Sequence, residues 1–106
     1  MAGYKIVSLK VDPPVVQRGG EANFFVEVID AETGALVSNT LKIQLTSGKI
    51  GRAVEQAWTN MTVLRTGMLQ YTFQVATTVP IGLWTVEVKT SGDEALEEWF
   101  GALRVV

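Results

Sequence analysis

An alternation of apolar and polar residues with a period of two, broken by turn residues every eight to twelve positions, dominates this chain. In the clearest segment, Leu41, Ile43 and Leu45 alternate with polar residues. Because successive side chains of a strand point to opposite faces, this pattern is typical of strands that are half-buried in a sheet. No segment sustains the 3.6-residue period of a helix. The pattern therefore predicts an all-β protein.

The alternation and its turn residues define the expected strands. They cover residues 4–11, 21–30, 41–46, 68–76, 83–90 and 99–106. The segment 52–65 has two interpretations: a helical turn over 53–58, or two short strands over 54–58 and 61–64 that are separated at Thr59 and Asn60. The second interpretation continues the alternation and is more economical. The prediction is about seven strands of five to ten residues.

Short strands joined by Gly and Pro turns favour two packed antiparallel sheets, and we predict an immunoglobulin-like β-sandwich spanning residues 1–106 as a single domain. Pro13 and Pro14 follow the first strand and lack backbone donors, so this strand is expected at a sheet edge, where the chain can switch sheets. The paired cysteines of antibody domains are missing, because the chain has no Cys.

Composition excludes several classes of function. The chain has no His and no Cys, which removes catalysis by imidazole or thiolate and the usual zinc sites. A net charge of −2 gives no global positive field for nucleic acid or an acidic membrane surface. No apolar run approaches the roughly 18 residues of a membrane span. We therefore expect no enzymatic activity, no catalytic residue, no cofactor, no nucleic-acid partner and no membrane insertion.

Three stretches resemble a known class of domain. Residues 11–22 place a proline after the first strand and a Gly-rich turn with an acidic residue, Glu21, before the second. Residues 66–73 and 79–88 place Gly67 before an amphipathic strand, then a turn with Pro80 and Gly82, then a strand with one large aromatic, Trp84. This pattern resembles bacterial Ig-like and macroglobulin-like domains.

The resemblance implies a structural or protein-interaction module of a larger exported, periplasmic or cell-surface protein, in contact with neighbouring domains or another protein. Macroglobulin-type proteins also use a bait segment and a Cys thioester, and neither element is present in this sequence. The resemblance therefore supports a fold more than a function. The absence of slack at either terminus leads us to expect a module excised from a longer chain.

Two sets of aromatic and apolar residues are candidates for recognition. Phe25, Ile29 and Phe100 fall in the outward phase of their strands and could contact a neighbouring module or a second copy. Trp58 and Trp99 have polar neighbours and could stack on sugar rings, which makes carbohydrate binding the alternative function. If long loops fold over Phe25, Ile29 and Phe100, these residues have only a structural role. The same holds for Trp58 and Trp99 if they are buried.

Acidic residues offer the remaining candidate chemistry. Residues 93–98 include four carboxylates and could supply oxygen ligands for Ca²⁺, although acidic hairpin loops usually stay solvated. Asp12, Asp30 and Glu32 form a possible second group at one end of the sandwich. Neither group has the spacing of a known Ca²⁺ loop, so we expect no metal site.

Overall fold

The computed structural model describes residues 4–37, 41–48, 53–90 and 98–106, and these residues form nine strands. The strands are β1 (Tyr4–Asp12), β2 (Val15–Val16), β3 (Glu21–Asp30), β4 (Leu41–Ser47), β5 (Ala53–Asn60), β6 (Thr62–Arg65), β7 (Met68–Gln74), β8 (Gly82–Thr90) and β9 (Glu98–Val105). Within this part of the chain, no helix is long and apolar enough to cross a membrane. The all-β prediction is confirmed, with nine strands instead of about seven.

The strands form two sheets. One has four strands in the order β1-β3-β7-β6, and the other has five in the order β2-β9-β8-β4-β5. Neighbours pair antiparallel except β2 and β9, which are parallel. These orders correspond to the ABED sheet and the extended CFG sheet of immunoglobulin-type sandwiches. The predicted Ig-like architecture is therefore confirmed.

The core lies between the sheets and follows the predicted alternation. In β3, every second side chain from Ala22 to Val28 is fully buried. In β8, Trp84, Val86 and Val88 are buried in the same way. Burial of large apolar side chains supplies the main stabilising free energy of such a sandwich.

Two of the chain's passages from one sheet to the other occur at short breaks in an extended segment, where regular pairing ends. After β1, the prolines at 13 and 14 interrupt pairing with β3, and Val15 and Val16 pair with β9 of the other sheet. The second switch is at Met61, which is buried and whose N–H donates to the Leu41 carbonyl at 2.8 Å. The break between β5 and β6 therefore lies at Met61, one residue later than predicted.

Trp84 fixes the corner where the chain passes from β7 to β8. Its indole N–H donates to the Pro80 carbonyl at 3.0 Å, and its ring centroid lies 5.9 Å from that of Phe73. Immunoglobulin folds often place a Tyr at this corner, bonded to the backbone a few residues upstream. Trp84 performs the same task here, which explains why a large aromatic opens β8.

Asp30 organises the turn after β3. One carboxylate oxygen accepts the N–H groups of Glu32 at 2.8 Å and Thr33 at 3.0 Å. These two hydrogen bonds hold the pKa of Asp30 below its ordinary value. The bond from the Thr33 N–H has the larger effect and the bond from the Glu32 N–H the next largest.

We expect Asp30→Ala to lower stability at neutral pH and to flatten its acid dependence. Because the folded-state pKa is depressed, the contribution of Asp30 is complete above the unfolded-state value of about 3.9 and is lost as pH falls through the lower folded-state value. Thermal melting of both proteins between neutral and acid pH measures this difference. If the melting temperatures of the two proteins fall in parallel as the pH is lowered, Asp30 does not have the depressed pKa assigned to it.

Candidate interaction surface

The strand phases divide the outward side chains between two opposite faces of the sandwich. Phe25 and Ile29 lie on the outer face of the four-stranded sheet, because they alternate with the buried residues of β3. Phe100 lies on the outer face of the five-stranded sheet. The residues that alternate with it along β9 pair with core residues of β8, so they point inward and Phe100 points outward. The three residues therefore do not form one patch, as a single contact surface would require.

The outer face of the four-stranded sheet is largely polar and hydrogen-bonded across its strands. Asn23 accepts from the Thr72 hydroxyl at 2.6 Å, and Gln74 donates to Glu21 at 2.8 Å. A shallow depression of about 280 Å³ on this face is lined by Ser8, Lys10, Asp12, Phe25, Glu27 and Met68. Phe25 is half-buried there among charged neighbours, which is compatible with an ordinary solvated face.

The outer face of the five-stranded sheet has a different character. We use the name five-stranded face for the outward residues of β2, β9, β8 and β4. Three cross-strand rows follow from the register of β9, β8 and β4. They are Phe100–Glu87–Gln44, Ala102–Thr85–Thr46 and Arg104–Leu83, with Val15 of β2 beside Arg104. Three large apolar side chains are about half exposed: Phe100 at 53%, Leu83 at 56% and Val15 at 51%. Exposed apolar groups that cluster on one face are characteristic of contact surfaces.

Glu87 is the most unusual residue of this face. Only 8% of it is exposed, and its Oε1 has no hydrogen-bond partner among the described residues. The hydroxyl of Thr46, one row away, is also buried without a partner in this part of the chain. Buried polar groups without partners cost free energy, so such atoms require an explanation. Because neither atom has accessible surface, a partner on this face cannot reach them unless neighbouring side chains move.

The side chain of Lys89, which is near Glu87, is directed elsewhere. Lys89 lies two residues along the same face, but its ammonium sits 4.1 Å from the centroid of the Trp58 ring. A cation over an aromatic face is an attractive contact. Lys89 therefore engages Trp58.

The two predicted sugar-stacking residues do not share a platform. Trp58 is on β5 with Lys89 over one ring face. Trp99 is on β9, opposite Val88 in the register, and packs against the core as a half-buried residue. Sugar stacking needs accessible aromatic faces, and the two rings lie on opposite sides of one sheet.

The acidic candidates are not brought together. Asp12 pairs with Asn23 and Asp30 pairs with Tyr4, so the two carboxylates lie at opposite ends of the β1–β3 pair. The possible group of Asp12, Asp30 and Glu32 at one end is therefore not formed. Within the described ranges, no three acidic residues are close enough to hold a metal ion. The side chains of the 93–98 cluster lie outside the described residues.

The fold thus defines an immunoglobulin-like β-sandwich, and its five-stranded face carries three half-exposed apolar side chains and two buried polar atoms without partners among the described residues. No protein-family model matches the chain. It is similar to Thioester-containing protein 1 allele S3 of Anopheles gambiae, with 28% identity over 92 residues, which are 87% of this chain. The match spans 7% of the length of that relative. This similarity fits a macroglobulin-like domain, and the all-β structure is compatible with it.

Solved structures share the fold over nearly the whole chain. The alkylpurine DNA glycosylase AlkC of Pseudomonas fluorescens, bound to DNA with an abasic site analog, has a TM-score of 0.63 at 16% identity, over 98% of this chain and 30% of that one. The endo-beta-1,4-mannanase of Thermotoga petrophila has a TM-score of 0.60 at 11% identity, over 100% and 20%. Domains 4 and 5 of the S-layer protein SbsC have a TM-score of 0.57 at 15% identity, over 98% and 47%. At such identities the likeness shows the fold alone.

Proposed function

We propose that this chain is a non-catalytic protein-interaction module that binds its partner through the five-stranded face. The observation that carries the proposal is the set of three large apolar side chains on this face that are about half exposed, Phe100, Leu83 and Val15. Protein interfaces are centred on aromatic and aliphatic anchors that become buried on binding. The opposite outer face has its polar groups bonded to one another, so it offers less to a partner.

We further propose that the module belongs to a larger exported or cell-surface protein of macroglobulin-like type. The similarity to a thioester-containing protein supports this placement, whereas the S-layer domains share the fold alone. The chain matches only part of each of these proteins, as expected for one module among several. In that setting the partner is a neighbouring domain or another chain.

Two single substitutions to Asp test the face. Phe100→Asp places a charge on the five-stranded face, and Phe25→Asp places the same charge on the opposite outer face as a matched control. Each variant is expressed with a tag in the organism that produces the protein, and its elution position is measured by gel filtration of the native extract. We expect Phe100→Asp to elute later than the wild-type chain and Phe25→Asp to elute with it. Identical elution of all three proteins would overturn the proposal.

Carbohydrate binding is the alternative function, and it predicts that a soluble glycan changes the tryptophan emission and raises the melting temperature. We expect soluble glycans to leave tryptophan emission and the melting temperature unchanged, because Trp99 packs on the core and Lys89 covers one face of Trp58. A fluorescence titration and a melting series with a panel of oligosaccharides measure this. A ligand that binds the native state raises the melting temperature by mass action. Such a rise, if abolished by Trp58→Ala, would favour the sugar-binding alternative.

A further inference from the structure

The four edges of the two sheets differ in regularity. The strand β1 has a register shift between Ile6 and Ser8, β6 has only four residues and one shift, and β5 has two shifts against β4. Bulges and short strands are devices by which proteins keep an edge from pairing with another chain. The fourth edge is different, because β9 pairs with β8 over eight residues without a register shift, and β2 covers only two of these residues on the other side. Among the described strands, β9 therefore presents a long and regular edge.

The backbone of β9 shows which groups point toward this edge. The Arg104 N–H donates to the Pro14 carbonyl at 3.0 Å, so it faces away from β8. In an antiparallel pair, the N–H and C=O groups of one residue point to the same neighbour, and those of the next residue point to the opposite side. The N–H and C=O groups of Phe100 and Ala102 therefore also face away from β8, and no described strand pairs with them there.

We propose that the edge of β9 at Phe100 and Ala102 binds an extended segment of the partner polypeptide, which adds to the five-stranded sheet as a further strand. This inference rests on the proposed function and states how the partner of the five-stranded face is held. Donors and acceptors that alternate along a strand edge match the spacing of another extended backbone. In strand addition of this kind, main-chain hydrogen bonds supply affinity and the side chains beside the edge supply specificity.

The side chains beside the edge indicate the chemistry of the added segment. On the outer face, Phe100 is 53% exposed and offers an aromatic ring to a cross-strand neighbour. On the inner face, Leu9 of β1 lies across Gly101, since a Cβ on Gly101 would be 2.8 Å from the Leu9 Cδ2. Successive side chains of the added strand alternate between these two faces. We therefore expect a segment with apolar residues at successive positions where it passes Phe100 and Gly101.

A second copy of this chain is a poorer donor of such a segment. Its own β2 would occupy the same side of its β9, at Arg104 and Val105. Two β9 strands can therefore pair only over the part that β2 leaves uncovered in each copy. An extended segment without a neighbouring strand of its own has no such restriction, which favours a different polypeptide as the donor.

A matched pair of substitutions tests the backbone bond. Both Ala102→Pro and Ala102→Val place a three-carbon side chain on the outer face, but Pro also removes the N–H that faces away from β8. Each variant is expressed with a tag in the organism that produces the protein, checked for cooperative melting, and measured by gel filtration of the native extract. We expect Ala102→Pro to elute later than the wild-type chain and Ala102→Val to elute with it. Equal elution of the two variants would overturn the inference.

Amide hydrogen exchange with single-residue resolution tests the same bond in the wild-type chain, and decides the question if Ala102→Pro does not fold. In the dilute purified chain, we expect fast exchange at Phe100 and Ala102 and slow exchange at Gly101, whose N–H faces β8. In the native assembly, purified by its tag, exchange at Phe100 and Ala102 is expected to slow at least about tenfold. Unchanged exchange at both residues would contradict strand addition. Slow exchange in the concentrated purified chain alone would also overturn the inference, because a second copy would then be the donor.

These results separate the inference from the function on which it rests. If Phe100→Asp elutes later than the wild-type chain but Ala102→Pro does not, the five-stranded face binds its partner through side chains alone. The proposed function then stands without strand addition. If neither variant changes its elution, both the surface and the edge are wrong.

Discussion

Replacing Phe24 with Ala is expected to lower the free energy of unfolding by about 3 to 5 kcal/mol, as for other large aromatic residues truncated in a core. Phe24 has no exposed surface and lies in the middle of β3, which pairs on both sides with β1 and β7. Its removal leaves a cavity between two sheets that neighbouring strands cannot close without disturbing their ladders. Urea unfolding of the variant and of the wild-type chain measures the difference.

Phe25 provides the control for this prediction, because it is the next residue of the same strand. It lies in the opposite phase, half-buried on the outer face. We expect Phe25→Ala to cost about 1 kcal/mol or less, in the range of surface substitutions. Equal losses at the two positions would show that the strand phase, and with it the assignment of inner and outer faces, is wrong.

Replacing Gly67 with Ala is expected to cost about 3 kcal/mol, because two effects add. Gly67 has φ of +84°, in the left-handed region where a Cβ costs about 1 to 2 kcal/mol. A Cβ there would also lie 2.7 Å from Leu36 Cδ2 and 2.9 Å from Leu36 Cβ. The backbone of Leu36 is held by its bridge to Ile29, so the Cβ cannot easily move away. Overpacking of this kind typically costs 1 to 3 kcal/mol.

Gly34→Ala separates the two effects. Gly34 has φ of +74°, but nothing lies within 4 Å of an added Cβ. This variant is therefore expected to lose only the conformational part, about 1 to 2 kcal/mol. Denaturant unfolding of both variants gives the comparison. If Gly67→Ala proves no worse than Gly34→Ala, the close contact with Leu36 is not a constraint on the folded chain.

The strands and their phases were largely predictable because the physical signal is local. In β3 and β8 the period of two is long and strongly apolar, and burial follows it. The role of Pro13 and Pro14 was predictable for the same reason, since a missing donor ends a ladder wherever it stands. These features depend on residues close together in sequence.

The strands that were missed depend on partners distant in sequence. Val15 and Val16 form a strand of only two residues, and they do so because β9 lies beside them. In β5, the alternation is blurred by two register shifts against β4, so its length and its sheet could not be inferred from the pattern. The number of strands was therefore underestimated.

The candidate surface was predictable only in part. The outward phase of Phe25 and of Phe100 followed from alternation, but their placement on opposite faces depends on which sheet each strand joins. Glu87 gave no signal at all, because it reads as an ordinary outward residue between Val86 and Val88. Its burial depends on neighbours in β9 and β4. Residue type and periodicity cannot reveal an unpartnered carboxylate of this kind.

Alternation sorts the side chains into one interior layer and two outer faces, and we propose that the five-stranded face carries recognition. Hydroxyl-radical footprinting measures this most directly, applied to the dilute purified chain and to the same chain in its native assembly. The account predicts strong labelling of Phe100 and negligible labelling of Phe24 in the dilute chain, and in the assembly a loss of labelling at Phe100 with little change at Phe25. Strong labelling of Phe24, or equal labelling of Phe100 in both states, would contradict the account.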